Sequence, residues 1–399
     1  MPETKSAMSH IVDSISFGAI VAVRDRLLAQ QARGKTIYRL ESGDPSFDLA
    51  PHVREAIEQA LARGDTHYTA SAGIQPLCDA IVEKVQHQNR LPMTRSDQVI
   101  VTSGGMHAIY VTFRALLEPG DEVILPDPMW TEIAENIRLA GGVPVRCPLE
   151  PLRSRPYAAS QIAQYVTPKT KAIFVNTPHN PTGVVLDERT LREIVELAVA
   201  RNLTIVSDEA YEHVVFDGER HVSIGSLAGA EDRTISLFST SKSYAMSGLR
   251  IGYIVTRDER VLDRGRKLLR CTTNGVSSIA QWGALAALTG PQDQTRTMAA
   301  EYQHRRDLLL SGLQGVEVLR PVVPKGSFFL WASIDPSWVD QRGHTSDQAM
   351  VELLVDEAGI GCSPGSAFGP SGGGWIRFAF SCTREQVEQA AKRLHDLLA

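Results

Sequence analysis

Three absences restrict what this chain of 399 residues can be. Its five cysteines are scattered along the sequence, and no two of them form a CxxC pair. This spacing argues against a zinc site and indicates free thiols in a reducing compartment. The first ten residues are polar, and no stretch approaches the roughly 20 apolar residues that span a bilayer. We therefore expect a cytoplasmic protein with no bound metal and no membrane partner.

An excess of positive charge is also missing. Lysine and arginine number 41 against 46 aspartates and glutamates, so the net charge of −5 argues against nucleic acid as a partner. Apolar residues make up 43% of the chain and charged residues 22%, which is ordinary for a globular protein. The length allows a large core, either in two domains or in one large domain with a smaller one attached.

Strands and helices alternate from about residue 97 to residue 255, which predicts an α/β fold with a mostly parallel sheet flanked by helices. After Gly252 long helical patterns dominate, and a Gly-Pro pair at residues 290–291 marks a break. We expect a large domain over residues 46–290. A smaller α+β domain is expected from residues 1–45, which include a predicted helix over residues 13–33, together with residues 291–399.

One lysine lies among small residues in a Ser-Thr-Ser-Lys-Ser stretch that follows a predicted strand. Lys242 should therefore lie in a loop just past a strand end, where open α/β sheets bind their ligands. A lysine amine attacks carbonyls only when burial or a nearby cation lowers its pKa, and its usual partner is a pyridoxal aldehyde. Ser239 and Arg250 on either side suit a phosphate, although a lone loop lysine is more often simply solvated.

Two further stretches follow predicted strands. Gly104 and Gly105 open a helix, a geometry that aims N–H groups and the positive end of the helix dipole at a phosphate. The motif is short and has no P-loop lysine, so tight packing of helix on sheet explains it equally well. Trp130 follows the next strand, where a flat ring suits stacking on a pyridine, although a tryptophan there is more often part of the core.

A carboxylate and a phenol come together at another strand end. Asp208 closes a predicted strand and Tyr211 follows three residues later. Such a carboxylate can pair with a protonated ring nitrogen while the phenol bonds a ring oxygen, or it can simply cap the next turn. Asn180 lies in a rigid Thr-Pro-His-Asn-Pro-Thr-Gly turn, where two prolines make it a fixed donor.

Three more residues are candidates for contact with small molecules. Arg377 lies in the middle of an apolar strand, which suits a buried clamp for a carboxylate, although an edge-strand arginine pointing to water is as good an interpretation. Gly43 is either a simple turn glycine or a place where the backbone approaches a ligand closely. Tyr68 is either a surface cover or a functional loop tyrosine.

Together these stretches resemble the class I/II aminotransferases, the fold type I enzymes that use pyridoxal 5'-phosphate, from about residue 15 to the C-terminus. The His-Asn-Pro-Thr-Gly turn, the Asp-x-x-Tyr, the Ser-x-x-Lys followed by arginine and glycine, and the late strand arginine occur in family order. The resemblance implies that Lys242 forms the Schiff base and shuttles a proton between the substrate α-carbon and the cofactor. It also implies that Asp208 keeps the pyridine nitrogen protonated, and that Tyr211 and Asn180 donate to the ring's phenolic oxygen.

The resemblance extends to the phosphate, the substrate and the assembly. Tyr68 matches a tyrosine that reaches the cofactor phosphate of the other subunit, which implies a homodimer with shared active sites. Gly43 and Arg377 match the groups that hold the substrate α-carboxylate. The phosphate and the ring face are assigned to Gly104, Gly105, Met106, Ser239, Arg250 and Trp130.

Departures from the family pattern concern the substrate side chain. Residues 16–19 lack the Ser-x-Thr pattern of many aspartate-using relatives, and Gly275 stands where a proline is usual. Members specific for dicarboxylates carry an arginine at a position that falls here at Leu269, although Arg270 is adjacent. The resemblance therefore predicts the cofactor site but does not predict which substrate side chain the enzyme prefers.

The expected function is transfer of an α-amino group from an amino acid to a 2-oxo acid by a ping-pong mechanism. A β- or γ-lyase or an oxidase would share the first intermediate, and fold and cofactor do not distinguish these reactions. Similar domains also serve as effector sensors in transcription regulators. Only about 40 residues precede Gly43 and they show no basic helix-turn-helix pattern, so we expect no DNA-binding module.

Overall fold

The structure is a computed structural model that describes residues 10–13, 15, 18–152, 156–339, 343 and 345–399. Ser14, Ser16 and Phe17 of the predicted first helix, residues 13–33, lie outside the described residues, and Ser16 and Phe17 also belong to the atypical segment 16–19. In the described part, a short helix ends at Asp13 and the long one begins only at Ala19. The prediction of one helix from residue 13 is wrong at the described residues Ile15 and Gly18, which are not helical; Gly18, with a positive φ of 74°, is the N-cap of the helix that begins at Ala19.

Fourteen α-helices are found in the described ranges, the first, the seventh and the ninth being single turns. In chain order they are α1 (His10–Asp13), α2 (Ala19–Ala32), α3 (Pro51–Ala62), α4 (Gln75–His87), α5 (Gly105–Leu116), α6 (Thr131–Leu139), α7 (Ala159–Ile162), α8 (Glu188–Ala200), α9 (Thr240–Ser243), α10 (Glu259–Thr272), α11 (Ser278–Thr289), α12 (Asp293–Gly312), α13 (Asp347–Leu353) and α14 (Arg384–Leu398).

Thirteen strands are found in the part of the chain that the structure covers. They are β1 (Tyr38–Arg39), β2 (Val99–Thr102), β3 (Glu122–Asp127), β4 (Val143–Pro148), β5 (Thr170–Asn176), β6 (Thr204–Asp208), β7 (Thr234–Ser239), β8 (Gly252–Thr256), β9 (Leu319–Val322), β10 (Phe329–Ile334), β11 (Ile360–Gly361), β12 (Ser363–Pro364) and β13 (Trp375–Ala379).

The central sheet has seven strands in the order β2-β8-β7-β6-β5-β3-β4. All neighbours pair in parallel except β8, which runs antiparallel to both β2 and β7. The inner strands are apolar runs buried on both faces, as expected for a sheet covered by helices on each side. The predicted α/β fold with a mostly parallel sheet is confirmed.

Helices cover both faces of this sheet. On one face α5, α6 and α10 pack against the strands, with Val111 and Ile133 among the fully buried residues of that layer. On the other face α3, α4 and α11 cover the β2 end, while α8 packs on the middle strands through Leu191. The strands of this sheet all lie between Val99 and Thr256.

A second, antiparallel sheet has the order β12-β13-β10-β9 and lies between Leu319 and Ala379. The N-terminal segment joins it through β1, which pairs in parallel with β11 and places Tyr38 opposite Ile360. One apolar core contains Leu27 of α2, Leu309 of α12 and Leu394 of α14. The domain division at residues 45 and 290 stays a prediction. Nowhere in the described ranges is a helix long and apolar enough to cross a membrane.

Candidate active site

A cavity of about 360 Å³ opens where the carboxyl ends of the central strands meet the N-terminal segment and β13. Six of the predicted site residues line it: Gly43, Trp130, Asn180, Tyr211, Lys242 and Arg377. Ligand sites at the carboxyl ends of parallel strands are the general expectation for open α/β sheets. Residues that are about 330 positions apart in sequence therefore meet around one space.

Lys242 lies in the single turn of α9, directly after β7. The predicted loop is corrected here, because the Ser239 hydroxyl accepts a hydrogen bond from the N–H of Ser241 at 3.2 Å and starts a helical turn. The Lys242 Nζ donates to the carbonyl oxygen of Gly43 at 2.7 Å. Burial lowers the pKa of Lys242 to about 8; the charges of Arg250 and Arg377 act in the same direction and that of Asp44 opposes them. The amine is therefore neutral far more often at neutral pH than an exposed lysine is.

Asp208 is the last residue of β6, and its side chain Oδ1 accepts a hydrogen bond from the N–H of Ala210 at 3.2 Å. Burial raises the pKa of this carboxyl to about 6; the hydrogen bond from Ala210 opposes the shift and the charge of Glu209 adds to it. Asn176 donates from its side chain to the Asp208 carbonyl oxygen at 3.1 Å and fixes the strand end. A cation placed beside Asp208 would find a desolvated carboxylate there.

Tyr211 is 6% exposed and packs edge-on against Phe328 and Phe329, with ring centroids 5.2 and 5.8 Å away. Burial raises the pKa of its phenol, so the hydroxyl stays protonated and can donate a hydrogen bond into the cavity. Asn180 lies in the turn that follows β5, and its backbone N–H donates to the side-chain oxygen of Asn176 at 3.0 Å. The Tyr211 hydroxyl and the Asn180 side-chain amide are thus hydrogen-bond donors that buried neighbours hold in place.

Arg377 lies in the middle of β13 and is only 1% exposed, which rules out the alternative of an arginine pointing to water. Its Nη1 donates to Asn180 Oδ1 at 3.0 Å, and its Nη2 donates to the Glu41 carbonyl at 2.9 Å and to Ser363 Oγ at 3.2 Å. Burial lowers its pKa to about 10, so it stays charged at neutral pH. All three acceptors are neutral atoms, and within the described ranges no carboxylate forms an ion pair with this guanidinium.

Arg377 is also enclosed by aromatic rings. Its guanidinium carbon lies 4.3 Å from the ring centroid of Phe329, 4.7 Å from that of Phe368 and 5.6 Å from that of Trp130. Rings at these distances stabilise the cation and exclude water from it. A ligand carboxylate that reached Arg377 would therefore form a desolvated ion pair.

A second group of predicted residues meets at the start of α5. Gly104 has a φ of +86°, and a Cβ placed on it would collide with the guanidinium of Arg250. A Cβ on Gly105 would lie 3.2 Å from Cβ of Ser239. The first free N–H groups of a helix, a hydroxyl and a guanidinium are thereby brought together, and this donor set suits a phosphate dianion.

The remaining predicted residues lie around these two groups. Met106 is in the first turn of α5, and its sulfur lies 3.3 Å from the side-chain nitrogen of Asn136. Trp130 is the N-cap of α6 and packs at 6.3 Å against Phe368. Tyr68 does not line the cavity of its own chain, because it is 89% exposed in the segment between α3 and α4.

Sequence reasoning missed three charged residues that line the cavity beside Gly43, namely Arg39, Glu41 and Asp44. Glu41 is 2% exposed, and its Oε1 accepts from Arg39 Nε at 2.7 Å. The two-residue alternation of a strand does not point to them, because only Tyr38–Arg39 is a strand and residues 40–41 form a turn. Arg24 of α2 also lines the cavity and was missed, since nothing in its local sequence distinguishes it from an exposed helix arginine.

The acidic residues that follow β6 are buried as well and were not singled out from the sequence. Glu209 lies 2.8 Å from His221 Nε2. Glu212 accepts from Lys84 Nζ at 2.5 Å and from Asn89 Nδ2 at 2.8 Å. Lys84 comes from α4, so these contacts tie that helix to the segment that carries Asp208 and Tyr211.

Comparison with known proteins agrees with this geometry. The family described as "Aminotransferase class I and II" matches residues 35–394. The "Probable aspartate/prephenate aminotransferase" of Thermus aquaticus is 37% identical over 98% of this chain and 99% of its own length. "Aromatic-amino-acid aminotransferase 2" of Thermococcus litoralis is 35% identical over 93% of each chain.

Solved structures show the same fold. The aspartate aminotransferase of Rhizobium meliloti superposes with a TM-score of 0.93 at 30% identity and covers 98% of both chains. The aromatic aminotransferase of Pyrococcus horikoshii superposes with a TM-score of 0.85 at 32% identity, over 94% of this chain and 98% of its own. The match over nearly the whole length shows that this chain belongs to the class I and II aminotransferase family and is a transferase enzyme of that family.

Proposed function

We propose that this protein is a pyridoxal 5'-phosphate-dependent aminotransferase that moves an α-amino group from an amino acid to a 2-oxo acid by a ping-pong mechanism. One observation carries the proposal. A lysine with a pKa of about 8 and a buried arginine without a carboxylate partner in the described chain line the same cavity of about 360 Å³. The first suits a carbonyl and the second suits the α-carboxylate of an amino acid.

The residues present fit the cofactor. Lys242 would hold its aldehyde carbon in a Schiff base, and Asp208 would pair with its protonated ring nitrogen. Tyr211 and Asn180 would donate to its phenolic oxygen. The glycine-lined start of α5 supports a phosphate site, because side chains at these positions would collide with the groups around it. The phosphate and ring-face residues are then Gly104, Gly105, Met106, Ser239, Arg250 and Trp130.

The bound cofactor supplies an electron-withdrawing ring that stabilises negative charge at the substrate α-carbon. The other tasks belong to the chain. Arg377 binds the α-carboxylate and orients the Cα–H bond, while the tight backbone at Gly43, where a Cβ would lie 3.3 Å from Phe329 Cζ, closes that side. Lys242, once its amine is free, would act as the general base that accepts the substrate α-proton and holds it for return. Its lowered pKa keeps the released amine available as a base.

We also propose that the protein acts as a homodimer, in which Tyr68 reaches the cofactor phosphate of the other subunit. The 89% exposure of this large side chain supports the idea, because a phenol is well suited to an interface where its ring is covered and its hydroxyl finds a polar partner.

Steady-state kinetics with several amino donors and 2-oxo acids test the function. Parallel double-reciprocal plots and the appearance of both a new amino acid and a new 2-oxo acid are expected, with no ammonia released. Ammonia formed without an acceptor would indicate a β- or γ-lyase, and ammonia formed together with oxygen uptake would indicate an oxidase. Either result would replace the proposed reaction by one of these.

A further inference from the structure

The cavity is lined by two arginines besides the one that suits an α-carboxylate. Arg24 and Arg39 line the same space as Arg377. We propose that Arg24 and Arg39 form a subsite for the second carboxylate of a dicarboxylic amino acid and its 2-oxo acid. This inference rests on the proposed function and adds the substrate class and the residues that select it.

Arg39 is held in place by an acidic neighbour. Its Nε donates to Glu41 Oε1 at 2.7 Å, and its Nη2 lies 2.6 Å from the same oxygen. Both contacts use one edge of the guanidinium, and the side chain remains 40% exposed. The planar fork of an arginine carries five N–H groups, so the other edge is still available for a bidentate carboxylate.

Glu41 is itself fixed by burial. Its side chain is 2% exposed, and no other group in the described part of the chain hydrogen-bonds its Oε2. A Cβ on Gly361 would collide with Glu41 Oε2, so that glycine provides the space for the carboxylate. A buried carboxylate with a single cationic partner strongly constrains that partner. Glu41 is therefore a positioning residue that aims Arg39.

Arg24 reaches the cavity from α2. Ile20, Val21 and Arg24 lie at positions i, i+1 and i+4 and form the face of the helix that lines the space. Ile20 packs against the aromatic group that includes Trp130 and Phe368, which fixes the helix next to the site. The contact of Arg24 with its neighbour Asp25, 3.4 Å between exposed side chains, is too weak to occupy the guanidinium.

The charges around the cavity support a dianion. Arg24, Arg39 and Arg377 are three permanent cations, and the carboxylates on the lining are those of Glu41 and Asp44. Glu41 already pairs with Arg39, and Asp44 accepts from the hydroxyl of Ser247 at 2.5 Å. The charge of Asp44 acts on Lys242, so the far wall of Arg24, Arg39 and Glu41 has a net charge of +1. A substrate whose single carboxylate binds Arg377 would leave that charge uncompensated. A second carboxylate would neutralise it.

Among the described residues of the chain, no further arginine lines the cavity for this task. Leu269 is fully buried in the core next to α5, and Arg270 is exposed and does not line the cavity. If Arg270 of the partner subunit supplied the charge instead, removal of Arg270 would abolish the preference for a second carboxylate, and removal of Arg24 would leave that preference unchanged. Substitution of Arg24 and of Arg270, one at a time, therefore shows which arginine binds the second carboxylate.

Binding of two unreactive acids to the cofactor-loaded protein is the direct test. Succinate and butyrate have the same four-carbon chain and differ by one carboxylate. Isothermal titration calorimetry should show succinate binding at least about tenfold more tightly, the effect of one charge-assisted pair. The preference should fall to about threefold or less in Arg24→Gln and in the double variant Arg39→Gln/Glu41→Gln, with butyrate affinity unchanged. The double variant avoids leaving Glu41 buried without its partner.

Two further variants serve as controls. Arg33→Gln removes an exposed arginine at the C-cap of the same helix, away from the cavity, and should retain the full preference. Arg270→Gln should retain it as well. The proposal is overturned if wild-type protein shows no preference for succinate, if either Arg24→Gln or the double variant keeps the preference, or if Arg270→Gln abolishes it.

Turnover separates this inference from the proposed function. Aspartate and 2-aminobutyrate differ by the same replacement of a carboxylate by a methyl group. Transamination of 2-aminobutyrate with no preference for aspartate would overturn the dicarboxylate subsite while the aminotransferase function stands. If no amino acid is transaminated, the proposed function fails, and the succinate and butyrate affinities still decide whether Arg24 and Arg39 bind a second carboxylate.

Discussion

At the scale of single residues, burial shifts two pKa values in opposite directions. It lowers the pKa of the Lys242 amine from 10.5 to about 8 and raises that of the Asp208 carboxyl from 3.8 to about 6. The physical cause is the same, since a low-dielectric environment disfavours whichever form is charged. The Lys242 amine is therefore often neutral and can act as a nucleophile. A cationic partner would stabilise the ionised form of Asp208.

The pKa of Lys242 makes a direct prediction for the cofactor-free protein. Its reactivity toward acetic anhydride should rise with pH around a midpoint near 8, as measured by competitive labelling and mass spectrometry with exposed lysines as references. The unfolded chain binds the extra proton between about pH 8 and 10.5, so this group also makes the free energy of unfolding increase with pH in that window. A Lys242 midpoint that coincides with those of exposed lysines would contradict the account.

Sequence and structure agree best for residues whose chemistry is unusual in their context. A lysine among small residues after a strand and an arginine within an apolar strand were both predicted, and both line the cavity. Glu41 was not predicted, because its importance depends on burial by Gly361 and β13, which are more than 300 positions away. Short-range patterns carry no information about such contacts.

At the scale of elements, the start of α5 depends on the strand β8 that passes beside it. A Cβ on Gly252 would lie 2.6 Å from both the carbonyl carbon of Gly104 and the nitrogen of Gly105. Gly252→Ala should therefore displace the first turn of α5, lower the free energy of unfolding by about 1–3 kcal/mol and weaken cofactor binding. Thermal unfolding and a fluorescence titration with pyridoxal phosphate measure the two effects.

Gly248→Ala is the matched control, since a Cβ at that position meets nothing within 4 Å. It should leave both cofactor affinity and stability close to those of the unmodified protein. Equal cofactor affinities for Gly252→Ala and Gly248→Ala would mean that the start of α5 does not form the phosphate site.

The buried pair Lys84–Glu212 joins α4 to the segment that carries Tyr211, with side chains only 2% and 7% exposed. Burial alone would raise the pKa of Glu212, but the charge of Lys84 and the other partners lower it to about 2. Lys84→Met should cost about 3–5 kcal/mol of unfolding free energy at pH 7, because it leaves a buried carboxylate without its cation. This contribution of Glu212 is present above about pH 4.5 and is lost as the pH falls toward 2.

Urea unfolding of the single and double variants checks this pair. Lys84→Met/Glu212→Gln should recover a large part of the loss, since no unpaired charge remains. A cost below about 1 kcal/mol for Lys84→Met, the range of exposed ion pairs, would show that the pair does not hold the two elements together.

The elements themselves were predicted unevenly. The alternation of strands and helices between about residues 97 and 255 was predicted, and the strand β5 and the helix α8 belong to it. The helices α4 and α6 and the short strand β9, which contains a proline, were not predicted. The antiparallel direction of β8 was not predicted either, because strand direction depends on the path of the whole chain.

At the scale of the whole molecule, the α/β fold was predicted from the alternation of strands and helices, and the family was predicted from motifs in their order along the chain. The position of α2 beside the cavity was not predicted, although it brings Arg24 to the site. The reason is physical: its place is set by packing of Leu27 into a core shared with α12 and α14. Long-range packing of this kind is decided by the complete fold.

The proposed dimer predicts a specific effect of Tyr68→Phe. Because Tyr68 is 89% exposed, the substitution should not affect the fold of one chain or the dimer mass measured by size-exclusion chromatography with light scattering. It should weaken pyridoxal phosphate binding about tenfold, the effect of one hydrogen bond to a charged phosphate. A monomeric protein, or a variant with unchanged cofactor affinity, would contradict the shared site.

The central claim is that both half-reactions of amino-group transfer take place in one cavity. An absorbance titration of the cofactor-loaded protein tests it most directly, with amino acids added first without acceptor and a 2-oxo acid added afterwards. We predict that the absorbance of the cofactor's aldehyde form is lost with the amino acid and restored in full by the 2-oxo acid. An absorbance that never changes with any amino acid, or that is not restored by any 2-oxo acid, would contradict the account.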